Sequence, residues 1–205
     1  MVKHSRDIAF LSGVVYFVQG ALGISGISLL LFLRSLGWSI SEITTVTSIA
    51  AAPWFLKILI GLLSDSTPLF GYRRKTYLFF FSLISAISWA VLFGSPPTKG
   101  WIFTSLLLGN FGLAATDVVT DGLIVQHSTK MTSHVYQGIA WGSRSLGAVL
   151  GGYAGGQLAA HFQPKQVFLL TMLLPFAVTF CSLLIKEKKI SRGPFQSWFG
   201  PFKRC

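Results

Sequence analysis

Charge is what this 205-residue chain has least of. Lys, Arg, Asp and Glu together make 11% of it, against roughly 25% in a soluble domain, and only six of them are acidic. That shortage, beside 52% apolar residues, excludes an ordinary soluble fold and points to a bilayer. Cysteine is almost missing as well. Cys181 lies in an apolar run and Cys205 is the last residue, so neither a disulfide framework nor a metal-ligand spacing exists. The four histidines, His4, His127, His134 and His161, fall near the N-terminus or in loops. With no Ser/His/Asp set, HExxH or phosphate loop, enzyme chemistry has no carrier, and no cofactor or metal is expected. Fifteen of the 17 cations sit between apolar runs, so the formal charge of +11 reads as membrane topology and not as nucleic-acid binding.

What is present is a series of apolar stretches. Spans are expected at about 8–33, 43–63, 77–94, 101–126, 135–160 and 166–185, which makes an all-α protein with six transmembrane helices and a basic, aromatic tail at 190–205. The first run exceeds both the core of a signal peptide and the roughly 20 residues a crossing needs, so it reads as a retained span that tilts or contains an irregular part. Pro53 is placed to kink the second. Gly147, Gly151 and Gly155 form a small-residue ridge on the fifth. Six spans put both termini on one side. With that side cytoplasmic it holds 12 cations against 3 on the other, which orients the chain.

The stretch 101–126 organises the rest, because an apolar helix there carries Asp117 and Asp121 on one face. A carboxylate in a span costs roughly 2.5–3.5 kcal/mol unless it faces a bundle interior or a watery cavity. Lys57 and Arg144 are the cations available inside other spans. Counting the helical rise from the cytoplasmic ends puts Asp117 and Arg144 at roughly 13 and 15 Å, and Asp121 and Lys57 at roughly 7 and 10 Å. Two acid–base pairs, Asp117 with Arg144 and Asp121 with Lys57, are therefore expected. They are read either as ion pairs that set helix register or as the walls of a polar cavity that binds substrate or relays protons. Tyr16 and Gln19 on the first helix could join them, as buried hydrogen-bonding groups or as ligand contacts. Trp54-x-x-Lys57 in the second span and Trp141-x-x-Arg144 in the fifth share one spacing. These are the partner helices if spans 1–3 and 4–6 are inverted three-helix repeats, as in the major facilitator architecture.

Several segments together resemble a known family. They are YFVQG at 16–20, Pro53-Trp54 with Lys57, SDSTPLFGYRRK at 64–75, DVVTD at 117–121 and QGIAWGSRSLG at 137–147, in that order. The combination is similar to the plant-type folate–biopterin transporters of the major facilitator superfamily. The resemblance implies a secondary carrier for folates or pterins, proton-coupled or exchanging, with a small-molecule substrate and a lipid bilayer as its partners. Folate carries carboxylates, so Lys57 and Arg144 become anion contacts and Asp117 and Asp121 charge partners or proton acceptors. Asp65, Gly71, Arg73 and Arg74 would belong to a cytoplasmic gating loop, which otherwise reads as a basic topological anchor with a turn. Two departures stand out. Gln126 and His127 replace the charged pair expected after DVVTD, and six spans compare with about twelve in the family. The chain is thus expected to act as a homodimer of halves, or as a truncated half that pairs with or regulates a full-length carrier.

Overall fold

The computed structural model describes residues 2–129, 132–185 and 187; the basic, aromatic segment 190–205 lies outside them. Every described element longer than a turn is helical. The first span is α1 (Val2–Ala21), one 3-10 turn (Leu22–Ser25) and α2 (Gly26–Ser35). The break supplies the irregular part that the length of the run called for. The second span is α3 (Ile40–Ala50) and α4 (Pro53–Ser66). Pro53 cannot donate to the preceding turn, so it begins a new helix in place of kinking a continuous one. Ser39 and Glu42 close a capping box at the start of α3, with Ser39 N donating to Glu42 Oε2 at 2.8 Å. The remaining spans are α5 (Lys75–Gly94), α6 (Lys99–His127), α7 (Ser133–His161) and α8 (Pro164–Leu184).

Five segments are long and apolar enough to cross a bilayer: Arg6–Ser35, Ile40–Ser66, Lys75–Gly94, Lys99–His127 and Pro164–Leu184. α7 has 29 residues, the length of α6, but glycine and polar residues dilute it. It lies alongside α1 in parallel, Gly147 against Phe17 and Gly155 against Ile24, so it traverses the same depth. Its core-facing side is glycine because the two backbones touch there.

The neighbours show the internal symmetry. α1 packs in parallel with α7, and α4 in parallel with α6, where Trp54 meets Asn110 and Gly61 meets Val118. α1 runs antiparallel to α6, with Tyr16 on Asp121 and Gln19 on Asp117. α5 runs antiparallel to α8, tied by Ser82 to Thr179 at 2.9 Å. Exchanging spans 1–3 for 4–6 maps the first–fifth contact onto the second–fourth. The first and fourth spans point in opposite directions, so the two three-helix units are inverted repeats.

One end of the bundle gathers the loop 67–74, the loop after α6 and the C-terminal end of α8. There Phe70 (φ 55°) and Gly71 (φ 84°) make a turn closed by reciprocal 3.0 Å bonds between Leu69 and Tyr72. Two successive left-handed residues are what such a primed turn requires, and glycine takes the second without strain. The other end packs Phe32, Leu33, Trp38, Ile43, Leu92, Ile102 and Phe168 into an apolar plug.

Candidate polar site at mid-span

Four helices bring nine polar or aromatic side chains toward one another. α6 supplies Asn110, Asp117 and Asp121, α1 supplies Tyr16 and Gln19, α4 supplies Trp54 and Lys57, and α7 supplies Trp141 and Arg144. Asp117 is the hub. It is 4% exposed, pairs with Lys57 Nζ at 3.1 Å and accepts from Gln19 Nε2 at 2.7 Å. Asp121, one turn along α6, accepts from the Tyr16 hydroxyl. Trp54 Nε1 donates to Asn110 Oδ1 at 3.1 Å while its ring centroid lies 5.9 Å from Lys57 Nζ. In the symmetry-related place, the Arg144 guanidinium lies 5.3 Å from the Trp141 ring centroid. Both Trp-x-x-cation segments therefore stack their cation on their own tryptophan, an i,i+3 contact that a helix face allows.

The ion pairing differs from that read along the sequence. Lys57 pairs with Asp117, not Asp121, and among the described residues no carboxylate lies within 4.0 Å of Arg144. Counting rise along straight helices gives depth but not which neighbour a helix faces. α7 packs on α1, and the Arg144 backbone lies against Gly20. The charges of Asp117, Asp121 and Arg144 all act on Tyr16, and that of Lys57 reaches Asp121, so the group is one electrostatic unit. Two capacities stay open within it: the Arg144 cation and the buried Gln19 Oε1 acceptor, which has no hydrogen-bond partner. Asn110 was missed by the sequence reading. Its signal is its spacing, seven and eleven residues before Asp117 and Asp121 on one helical face.

The loop residues form a second cluster at the end of the bundle. Arg74 is buried, bonds Asp65, and lays its guanidinium where a Gly122 Cβ would be. Arg73 is exposed and contributes its backbone only: Glu187 accepts from Arg73 N at 3.1 Å and from Lys75 N at 2.8 Å. Lys75 Nζ in turn donates to the carbonyls of Leu183 and Ile185 at 2.7 and 2.8 Å, tying α5 to the end of α8. Gly122→Ala should expel the Arg74 guanidinium and cost about 1–3 kcal/mol. Thermal unfolding in detergent would show it, and an unshifted midpoint would mean Arg74 does not seat on α6.

The profile of the BT1 family matches residues 19–197. The chain belongs to the BT1 family. A folate-biopterin transporter of Synechocystis sp. is 35% identical to it over 183 residues, 84% of this chain and 36% of that protein. Probable folate-biopterin transporter 7 of Arabidopsis thaliana is 30% identical over 92% of this chain and 45% of its own length. Folate transporter 2 of Plasmodium falciparum is 28% identical over 92% and 43%. The chain thus spans about two fifths of the length of these relatives, and the matched residues 19–197 contain the 67–74 loop and, Tyr16 apart, the polar cluster.

Proposed function

We propose that this chain takes part in carrying folates or pterins across a membrane as a secondary carrier, by proton coupling or exchange. The observation that carries the reading is Arg144, a cation in a span with no carboxylate within 4.0 Å among the described residues, beside a cluster whose other open group is the Gln19 Oε1 acceptor. An unmatched cation in a membrane interior is costly unless an anion or water visits it. A folate carboxylate answers that need, and the names of the relatives support the same substrate class. Arg144 and Lys57 are then the anion contacts, and Gln19 Oε1 accepts from a substrate donor. Asp117 holds Lys57 in place. Asp121 and Tyr16 form the hydrogen-bonded pair through which a proton can be taken up or released. Trp54 and Trp141 position the two cations.

Alternating access needs a second six-helix unit opposite this one. We assign that place to a second copy or to a partner carrier half, with Asp65, Gly71, Arg73 and Arg74 as the gating loop at the contact. The cation distribution supports an orientation with both termini cytoplasmic. The test is radiolabelled folate uptake by proteoliposomes holding this chain, with and without a pH gradient. Arg144→Ala should lower uptake about 10–100-fold, the worth of a charged hydrogen bond, while the protein stays inserted and helical. Unchanged uptake by the variant would assign Arg144 to packing. No uptake by folded wild type, restored on adding a full-length relative, would make the chain a partner subunit instead.

A further inference from the structure

A cavity of about 320 Å³ lies beyond Asp117, on the side away from the 67–74 loop. It opens where the first two spans are both broken, beside Leu22 of the 3-10 turn and Ala50 at the end of α3, and it is closed by α5 and α6. Broken helices around a cavity are how carriers expose backbone and side chains to a ligand. Leu113 lines it one helical turn before Asp117, so the cavity adjoins the charged cluster.

The lining has no charged side chain and one aromatic wall, Trp89. Its hydroxyls are nearly all committed. Thr47, Ser88 and Ser105 donate to carbonyls of their own helices at 2.8, 2.7 and 2.8 Å, which leaves only acceptor lone pairs for a guest. Asn110 spends one amide proton on the Leu106 carbonyl at 2.9 Å and receives the Trp54 indole on its oxygen. Ser85 is the exception: 1% exposed, with a hydroxyl that meets no partner. Buried polar groups are ordinarily satisfied, so an orphan hydroxyl on the wall of a cavity awaits one. An acceptor-rich, uncharged wall with one aromatic face suits a neutral planar ring bearing N–H donors. It does not suit a carboxylate.

Resting on the transport reading, we propose that this cavity receives the uncharged amino-substituted bicyclic ring of the substrate, with Ser85 as its hydrogen-bond partner. The mid-span cations hold the anionic end. Recognition is then divided along α6, ring on the Asn110–Leu113 side and carboxylates on the Lys57–Arg144 side.

The two ends can be offered separately to the full chain in nanodiscs, pterin alone and p-aminobenzoylglutamate alone, with binding read by titration calorimetry. Ser85→Ala should weaken pterin about tenfold and leave p-aminobenzoylglutamate unchanged. Ala50→Leu, which fills the cavity, should abolish pterin binding only. Arg144→Ala should do the reverse of both. Quenching of Trp89 by pterin, lost in Trp89→Phe, gives a readout that does not depend on the filling variant folding. Pterin affinity unchanged in Ser85→Ala, or wild type that binds p-aminobenzoylglutamate but not pterin, overturns the cavity assignment and leaves the transport reading standing. Folded wild type that binds neither fragment and not folate overturns both.

Discussion

Lys57→Met alone is expected to destabilise the protein by about 3 kcal/mol and to abolish folate uptake. Asp117 is 4% exposed, and without Lys57 its charge would rest on Gln19 alone. Breaking a buried pair by removing one partner costs about 3–5 kcal/mol, because the survivor is left uncompensated in a low dielectric. The lower figure applies because the Lys57 side chain is 39% exposed. The double substitution Lys57→Met, Asp117→Asn removes both charges and keeps an oxygen for Gln19. It should recover most of the stability, since a neutral pair carries no desolvation penalty, but none of the uptake. Melting in detergent beside uptake in vesicles separates the two effects. A double variant that regains uptake as well would show the pair to be packing only.

Gly20→Val should prevent the first and fifth spans from closing, at a cost of more than about 3 kcal/mol. A Cβ on Gly20 would run into the Arg144 carbonyl and come within 2.6 Å of Ala148 N. Across the same seam a Gly151 Cβ would come within 2.6 Å of the Ala21 carbonyl. Backbone atoms of two helices cannot rotate away as a side chain can, so the helices must separate, and Arg144 leaves the polar cluster with α7. Loss of monodisperse protein, or of uptake in what folds, is the expected result. Gly156→Ala on the same helix, where a Cβ meets nothing within 4 Å, should melt within about 0.5 kcal/mol of wild type. Equal melting of Gly20→Val and Gly156→Ala would mean the close crossing does not form.

Much of this could be read before any coordinates. Apolar run length marks helices whatever they pack against, so the helical runs and the glycine face of α7 follow from composition and period, whereas Pro53, expected to kink one helix, starts a new one. The repeated Trp-x-x-cation spacing was a correct pointer to the second and fifth helices as symmetry partners. Asn110 stands seven residues before Asp117 on the same face of α6, but a lone amide in a span costs less to bury than a charge and so gives a weaker signal. Glu187 and Ser85 had no signal at all, since a lone acid after a helix and a lone serine within one acquire meaning only from what lies opposite.

The amino-acid sequence by itself determined that the chain lives in a membrane, where its helices run and that four ionisable groups stand inside them. Rise per residue sets depth along an axis, and that much is local. Which charges meet depends on which helices are neighbours and on how each is rotated, and only the tertiary structure decided that. Glycine at positions 20, 147 and 151 lets α7 bed against α1, while α4 turns Lys57 to Asp117. Among the described residues Arg144 is left without a carboxylate for that reason, while Asp117 holds the centre of the cluster.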